Sequence, residues 1–350
     1  MRHKKQERTV PPYFVGVDLG GTSITIGILD INGNSVSKKK IPTFGEKGPD
    51  AAMTRIAETI SGLLDQNEIP RTLVRRIGLA TPGTMDLEAG MMIAPSNLPS
   101  WQNYPVRDSL KAKCGFPITY AHDAAAAAYG EYWQGAGQGE SGLVIMTLGT
   151  GIGCGIILKG DVWSGTHCHG GECGHILIDI SNNARWCNCG QRGHLEAYAS
   201  ATGLIKRTLD FVMAGLDTSL CERVHSVEQK AEIPKILHEE ADAGDELAQK
   251  IIDETAFYIS SGLISLVHTI DPSCILIGGA MTFGGSESKV GERFIEHIRQ
   301  GFRSRTFKVL ADRVRIDYAQ LGPDAGYIGA AGLAINDWKK EEEEGSKKTV

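Results

Sequence analysis

The sequence has no surplus of positive charge, no long apolar run and no leader-like N-terminus. Its 36 lysines and arginines are outnumbered by 42 aspartates and glutamates, which gives a formal net charge of −6. General nucleic-acid binders usually carry a basic surface, so this class is disfavoured. No stretch approaches the length of a membrane-spanning helix, and the basic residues 1–8 precede no apolar segment of the kind a signal peptide has. We therefore expect a cytoplasmic protein without nucleic-acid or membrane partners.

Cysteine is too sparse for a disulfide scaffold, with eight residues in a chain of 350. Several of these cysteines lie close to histidines, which is typical of metal ligands or reduced thiols. Glycine, in contrast, occurs 43 times, well above its usual share of about 7%. Much of the excess lies in loops that follow apolar runs, and the chain is long enough for two domains.

The first glycine loop joins two β-like runs, residues 13–17 and 23–29. Small residues in such a turn let backbone N–H groups close on a phosphate, and Asp18 is suited to hold a hydrated Mg²⁺. The alternative for so short a motif is a plain β-turn without a ligand. The candidate nucleotide-binding residues of this loop are Asp18, Gly20, Gly21 and Thr22.

A second glycine loop, LGTGIGCG at residues 148–155, also follows an apolar run. It is not a Walker A motif, because no lysine follows the glycines, and its spacing is not that of the dinucleotide-binding motif. Two such hairpins in one chain favour phosphate binding over chance turns. A further glycine pair ends the apolar run 274–277, where a flat adenine ring could lie on bare backbone. The candidate residues are Gly149, Thr150, Gly151, Gly153, Gly278 and Gly279.

The order of the predicted elements repeats along the chain, which indicates an internal duplication. Each half is α/β and opens with a glycine hairpin, so we expect two domains with a cleft between them, a preferred place for ligands. Residues 1–122 are predicted to form a smaller N-terminal domain, completed by a C-terminal helix at 325–340, and residues 123–324 a larger one. Helical patterns are predicted at 226–243 and 246–268, and the charged segment 339–348 as a frayed helix end or a disordered tail.

Asp123 stands at the join of the two halves, between the predicted strand 118–121 and five alanines. An aspartate at a helix start is commonly only an N-cap. The alternative is a general base at the carboxyl end of a strand, which takes a proton from a substrate hydroxyl. The two phosphate-type loops favour the second interpretation.

A Cys-x-Cys pair followed by a histidine, with another histidine upstream, offers four ligands for zinc. These residues are Cys187, Cys189, His194 and His175. Four protein ligands close a tetrahedral Zn²⁺ site, so the metal would be structural. The alternative is a pair of buried free cysteines.

The same region carries polar side chains that are suited to sugar hydroxyls. Glu172, His175 and Glu196 are the candidates here, and Asn97 would add amide contacts from the other domain.

These motifs resemble the ROK family, the sugar kinases and sugar-responsive repressors that share the actin/hexokinase-like fold. The resemblance extends from Asp18 to about residue 333 and includes DLGGT, the Ala80–Gly83 turn, Ser96-Asn97-Leu98, Asp123, LGTGIG, GExGH and CxCGxxG followed by LE. It implies an α/β, two-domain, ribonuclease H-like duplicated fold with a cleft between the domains. It also implies an ATP-dependent hexose kinase, with glucose the favoured sugar, Mg·ATP the donor and a structural zinc.

The resemblance further implies roles for single residues. Asp123 would be the base for the sugar 6-hydroxyl, and the sugar would be lined by Gly83, Asn97, Glu172, His175 and Glu196. Three positions depart from the family pattern. His122 stands before the catalytic aspartate, and Ala125 two residues after it, where the family usually has asparagine; His122 is kept as a candidate sugar-binding residue. His194 replaces the third zinc cysteine and changes the charge of that site.

Other functions remain open at this point. Mannose, fructose or an N-acetylhexosamine could be the sugar, and polyphosphate the donor. A sugar-sensing regulator is disfavoured, because only seventeen residues precede Asp18 and at least four of them belong to the first strand, too few for a helix-turn-helix. We also expect a homo-oligomer, a dimer or tetramer.

Overall fold

The protein is described from a computed structural model that covers residues 10–348, apart from 96, 97 and 217. The chain divides into two compact units. The first unit comprises residues up to Gln138, residues 162–170 and the residues from Leu321 onward, and the second comprises Gly139–Asp161 and Gly171–Gln320. The boundary predicted from the sequence lies at 122/123, whereas these units group residues 123–138 and 162–170 with the first.

The first unit is built on a sheet whose strand order is β3-β2-β1-β4-β7, accompanied by a two-stranded sheet of β5 and β6. The strands are β1 (Tyr13–Leu19), β2 (Ser23–Asp30), β3 (Ser35–Pro42), β4 (Val74–Thr81), β5 (Thr84–Asp86), β6 (Met91–Ala94) and β7 (Ile118–His122). Its helices are α1 (Pro49–Gln66), α2 (Val106–Cys114), α3 (Asp123–Gln134) and, at the other end of the chain, α11 (Ala325–Lys348).

The second unit is built on a sheet whose strand order is β10-β9-β8-β11-β12. The strands are β8 (Gly142–Leu148), β9 (Ile152–Leu158), β10 (Asp161–Val162), β11 (Cys274–Gly278) and β12 (Arg315–Tyr318). The helices are α4 (Glu196–Ala199), α5 (Ala201–Met213), α6 (Ser219–Ser226), α7 (Ile233–Ala243), α8 (Glu246–Ile270), α9 (Lys289–Arg303) and α10 (Lys308–Arg313).

The two sheets share one pairing scheme, as an internal duplication requires. In the first, β1 and β2 form an antiparallel hairpin and β4 lies parallel to β1 on its other side. In the second, β8 and β9 form the hairpin and β11 lies parallel to β8. Each hairpin turn is one of the two glycine loops singled out in the sequence, and each lies at the carboxyl end of its first strand.

Helix α11 lies directly on one face of the first sheet, and glycine makes this close approach possible. A Cβ atom at Gly16 would lie 1.8 Å from the carbonyl oxygen of Tyr327, and one at Gly78 would lie 1.8 Å from that of Ala330. The opposite face of the sheet is covered by the apolar core that includes Val17, Ile26 and α1. Asp18 therefore shares the α11 face with Gly16, since strand side chains alternate.

Several elements differ from the sequence predictions. The helical pattern predicted from residue 226 begins only at Ile233, after the separate helix α6. The charged segment 339–348 continues α11 as far as Lys348, and Arg76 pairs with Glu341 there. Among the described residues, no helix combines the length and apolarity needed to cross a membrane.

Candidate functional site

The first glycine loop is closed by its own backbone and held by one buried threonine. Gly20 donates its backbone N–H to the carbonyl oxygen of Ser23 at 2.9 Å. Thr43, which follows β3, donates its N–H to Thr22 O at 3.0 Å and its hydroxyl to Gly20 O at 2.7 Å. The loop thus has a fixed shape with small residues at its tip, as a phosphate-binding turn requires. The sequence does not single out Thr43 as a residue of this loop.

Asp18 lies at the end of β1, immediately before this loop, in a crowded environment. A Cβ atom at Gly326, near the start of α11, would lie 2.4 Å from the Asp18 carboxylate, so only glycine fits there. The pKa of Asp18 is raised to about 6, chiefly by burial and also by the negative charge of Asp123, while the positive charge of Lys40 acts in the opposite direction. A nearby cation would stabilise the charged form of this buried carboxylate.

Asp123 is the first residue of α3, and the preceding His122 caps the helix. The Nδ1 atom of His122 accepts a hydrogen bond from the N–H of Ala124 at 3.2 Å, and Oδ1 of Asp123 accepts from the same N–H at 2.6 Å. The side chain of Asp123 is 40% exposed. Both side chains thus accept the N–H of Ala124, so the capping contact that the sequence left as the alternative role of Asp123 is present beside that of His122.

The strands beside Asp123 carry further polar groups. Thr81 lies opposite His122 where β4 pairs with β7, and its hydroxyl lies 2.8 Å from that of Tyr120. Gly83, in the turn that follows, has φ +89°, and a Cβ atom there would lie 2.6 Å from Cα of Pro95. Glycine is required at this position. Asn97, predicted to contact the sugar, lies outside the described residues.

Residues at the N-terminal ends of α4 and α5 form hydrogen bonds that fix the second glycine loop. Gly149 donates its N–H to Gly151 O at 3.0 Å across the turn. Ala201 donates its N–H to Gly149 O at 2.9 Å, and the Thr202 hydroxyl donates to Thr150 O at 2.8 Å. The structure therefore places the predicted residues Gly149, Thr150 and Gly151 in one anchored turn, and Gly153 follows it in the first part of β9.

Glu196, the first residue of α4, also contacts this loop with its side chain. Its Oε2 atom accepts a hydrogen bond from the N–H of Ile152 at 2.9 Å, and a Cβ atom at Gly151 would lie 2.4 Å from the same oxygen. The sequence predicted Glu196 as a sugar ligand and gave no sign of this contact.

The glycine pair at the end of β11 lies beside the same hairpin. Gly278 pairs with Thr147 in the sheet. Gly279 has φ +92°, and a Cβ atom there would lie 2.3 Å from the carbonyl oxygen of Leu148. The structure thus brings the predicted adenine-side glycines next to the second glycine loop, within one unit.

The four predicted zinc ligands come together in a tight cluster. The ligand atoms of His175, Cys187, Cys189 and His194 all lie within 4.8 Å of one another. The Nδ1 atoms of the two histidines are 3.2 Å apart, Sγ of Cys187 is 3.8 Å from Nδ1 of His175, and Sγ of Cys189 is 3.2 Å from Nδ1 of His194. Zn–S bonds near 2.3 Å and Zn–N bonds near 2.0 Å produce ligand separations of this order around a tetrahedral ion.

The loop around the cluster is built as a tight turn. Cys187 donates its N–H to Gln191 O at 2.8 Å, and Gly190 donates to Cys187 O at 3.1 Å. Gly193 has φ +81°, and a Cβ atom there would lie 1.9 Å from Asp179 O. The backbone therefore holds the two cysteines and His194 at one end of a knuckle.

The charges around the cluster also suit a cation. Burial raises the pKa of Cys187 to about 11, and the charges of Cys189 and Glu196 act in the same direction. Burial and the neighbouring His175 lower the pKa of His194. A bound metal ion would instead lower the pKa of the cysteine thiols, because cysteine binds metals as the thiolate. The Nε2 atom of His175 lies 3.9 Å from Oε2 of Glu172.

Comparison with known proteins gives a consistent result over almost the whole chain. The family model described as "ROK family" matches residues 14–337. A glucokinase of Halalkalibacterium halodurans is 33% identical over 321 residues, which cover 92% of this chain and 94% of that protein.

Solved structures agree with the sequence comparison. The ROK hexokinase from Thermus thermophilus superposes with a TM-score of 0.76 at 31% identity, over 94% of this chain and 99% of the other. A ROK family glucokinase from Streptomyces griseus, solved in complex with glucose and AMPPNP, gives a TM-score of 0.69 at 29% identity, over 93% and 99% of the two chains.

The predicted fold class is confirmed by these neighbours: two α/β units, each with a hairpin-led sheet, form the actin/hexokinase-like sugar-kinase fold. The family predicted from the motifs is confirmed as well, by a family model that spans residues 14–337. This chain belongs to the ROK family.

Proposed function

We propose that this protein transfers the γ-phosphoryl group of Mg·ATP to the 6-hydroxyl of glucose. The chain is an ATP-dependent hexose kinase, and full-length similarity to glucokinases is the observation that carries the assignment of glucose. The duplicated glycine hairpins and the carboxylate at the start of α3 supply the residue types that such a transfer needs.

Asp123 is proposed as the general base. Its partly exposed carboxylate stands at the carboxyl end of β7, where it can take the proton of the sugar 6-hydroxyl as the oxygen attacks phosphorus. Proton removal of this kind contributes about 10²- to 10⁴-fold to the rate. The hydrogen bond that its Oδ1 atom accepts from the N–H of Ala124 fixes the carboxylate at the start of α3.

The glycine loops are proposed to bind the phosphates of ATP. Gly278 and Gly279 of the second unit are proposed to face the adenine ring. The phosphate-binding residues are Asp18, Gly20, Gly21 and Thr22 in the first unit and Gly149, Thr150, Gly151 and Gly153 in the second. Their backbone N–H groups suit phosphate oxygens, and Asp18 suits the hydration shell of Mg²⁺. The metal, when bound, would neutralise charge on the transferred group. Positioning and charge stabilisation supply most of the acceleration in phosphoryl transfer.

The sugar is proposed to contact Gly83, Asn97, His122, Glu172, His175 and Glu196. Glu196 accepts a hydrogen bond from Ile152, so only the remaining acceptor capacity of its two oxygens is left for a hydroxyl. A site that pairs particular hydroxyls discriminates strongly against sugars that lack or invert them, because its polar groups are then left unmatched.

The cluster of His175, Cys187, Cys189 and His194 is proposed to hold one structural Zn²⁺. Two thiolates and two neutral imidazoles would balance the charge of the ion, and four protein ligands leave no position for a catalytic water. The ion would fix the loop that also carries Glu172. A homo-oligomer, dimer or tetramer, remains a prediction that light scattering on the purified protein would test.

Identification of the product tests the proposed reaction. Purified protein is incubated with Mg·ATP and glucose, and the sugar phosphate is detected by a dehydrogenase specific for glucose 6-phosphate. We expect one glucose 6-phosphate for each ADP formed. ADP release without this product would place the phosphoryl group on another hydroxyl or on water. Parallel reactions with polyphosphate in place of ATP test the alternative donor.

A further inference from the structure

One cross-strand row of the first sheet runs from Asp18 to a lysine at the sheet edge. Asp18 of β1 pairs with Thr25 of β2, and Thr25 pairs with Lys40 of β3. Neighbouring strands lie about 4.8 Å apart, so the Cα atoms of Asp18 and Lys40 are about 10 Å apart. Directly opposed residues project their side chains to the same face, and Lys40 therefore stands on the face of Asp18.

Independent contacts identify this face as the one covered by α11. Gly27 lies two residues from Thr25 on β2, and a Cβ atom there would lie 2.4 Å from the ring of Tyr327. Lys38, which pairs with Gly27, donates two hydrogen bonds to Asp324 at 2.8 and 2.7 Å, just before α11 begins. Lys40 is one pleat further along the same face, toward the glycine loop.

The two lysines differ in their partners. Lys38 is held by the Asp324 carboxylate, whereas Lys40 is exposed and forms no ion pair within 4.0 Å among the residues that the structure describes. Its charge nevertheless reaches Asp18, since Lys40 lowers the pKa of that carboxyl group against the effects of burial and Asp123. Three residues further along the chain, Thr43 makes two hydrogen bonds to the glycine loop, so β3 and the loop form one hydrogen-bonded piece.

We propose that Lys40 binds the phosphate chain of the donor nucleotide next to Asp18. This inference rests on the proposed function, in which the loop beside Asp18 receives the phosphates of ATP. An ammonium group on a flexible stem is a common phosphate ligand, acting as a point charge. Lys40 would offset the negative charge that the phosphates meet at Asp18 and Asp123.

The neighbouring Lys39 provides a matched control. It pairs with Ile26, which belongs to the core on the other face of the sheet, so the Lys39 side chain projects away from Asp18. Lys39→Ala and Lys40→Ala remove the same charge from adjacent exposed positions of one strand. General loss of positive charge would affect both variants alike.

The test compares the wild type, Lys40→Ala, Lys40→Arg and Lys39→Ala in steady-state kinetics. For Lys40→Ala we expect kcat/KM for Mg·ATP to fall by about tenfold or more, the loss typical of a charged hydrogen bond, while KM for glucose stays within about twofold. Lys40→Arg should retain most of the activity, and Lys39→Ala all of it. Unchanged kinetics of Lys40→Ala, or equal losses in both alanine variants, would overturn the proposal.

Competition experiments identify the part of the nucleotide that Lys40 contacts. Inorganic tripolyphosphate, used as an inhibitor against ATP, should bind Lys40→Ala about tenfold more weakly, whereas adenosine should bind both proteins equally. If Lys40→Ala weakened the binding of adenosine as much as that of tripolyphosphate, the result would contradict a contact with phosphate. Should the wild type phosphorylate no hexose, the proposed function fails, and calorimetric binding of Mg·ATP to the wild type and Lys40→Ala still decides the role of Lys40.

Discussion

The carboxylate of Glu196 connects the second glycine loop to the Cys/His cluster. One oxygen accepts the backbone N–H of Ile152 at 2.9 Å, and the other accepts from Sγ of Cys187 at 3.6 Å. A single side chain thus contacts a loop proposed to bind phosphate and a ligand proposed to bind zinc. Zinc binding would convert Cys187 to a thiolate, which no longer donates to Glu196, so a change at the cluster should affect the loop through Glu196.

Substitution of Glu196 should therefore impair nucleotide binding as well as sugar binding. We expect Glu196→Ala to raise KM for both ATP and glucose by about tenfold, since it leaves the N–H of Ile152 without its charged partner. Glu172→Ala is the control, because Glu172 lies in the same region with 49% of its side chain exposed and should affect only glucose. A Glu196→Ala enzyme with normal KM for ATP would contradict the coupling.

Asp123→Asn should preserve the fold and lower kcat by about 10²- to 10⁴-fold with little change in KM for glucose. Asparagine keeps the shape of the side chain and an oxygen that can accept the N–H of Ala124 as Oδ1 of Asp123 does, and His122 accepts the same N–H. Steady-state kinetics and a thermal melt of the same preparation separate the two effects. A near-normal kcat would show that Asp123 is not the general base and has only a structural role at the start of α3.

The proposed zinc site predicts one ion per chain. His194→Ala should lower the zinc content well below one and raise KM for glucose, whereas His194→Cys should retain the ion, since thiolate is an equally good ligand. Elemental analysis of the metal-replete proteins measures the content directly. A His194→Ala protein with full zinc content and unchanged KM for glucose would exclude His194 as a ligand.

The raised pKa of Asp18 has a consequence for stability. Its pKa is about 6 in the folded protein against 3.8 for the free side chain, so between these values the folded state holds the proton more tightly. The free energy of unfolding contributed by this group is therefore highest below pH 3.8, falls as the pH rises through about 6 and stays low above it.

Asp18→Asn should remove this pH dependence. Without added magnesium or nucleotide, we expect the variant to be more stable than the wild type at pH 7.5, by up to about 3 kcal/mol, with a difference that shrinks toward pH 5. Activity should be lost at the same time. Denaturant unfolding at several pH values measures the effect, with the exposed Asp65→Asn as control. A variant less stable than the wild type at pH 7.5 would contradict the cost assigned to this buried charge.

The sequence predicted the hairpins and the proximity of the Cys/His side chains well, because both depend largely on local spacing. A short apolar run that ends in small residues usually forms a strand followed by a turn. Both β1 and β8 follow this pattern. The Cys-x-Cys spacing likewise keeps Cys187 and Cys189 close together whatever the rest of the fold does. The structure then brings His175 and His194 to them.

The contacts that the sequence did not reveal depend on pairing between distant segments. Thr43 bonds to the first loop and Lys40 lies opposite Asp18 only because β3 pairs with β2 in one particular register. Helix α5 was missed, and so was the way in which Ala201 and Thr202 anchor the second loop. A register shift of one residue would turn Lys40 to the opposite face, and the composition would be unchanged.

The most direct measurement of the proposed function is kcat/KM over a panel of hexoses at fixed Mg·ATP, monitored by ADP release. Glucose, mannose, fructose, N-acetylglucosamine and N-acetylmannosamine form the panel. We expect glucose to give the highest value and Asp123→Asn to lower the turnover of every sugar by about 10²- to 10⁴-fold. A higher kcat/KM for N-acetylmannosamine or fructose would contradict the assignment of glucose, and no hexose-dependent ADP release would contradict the kinase itself.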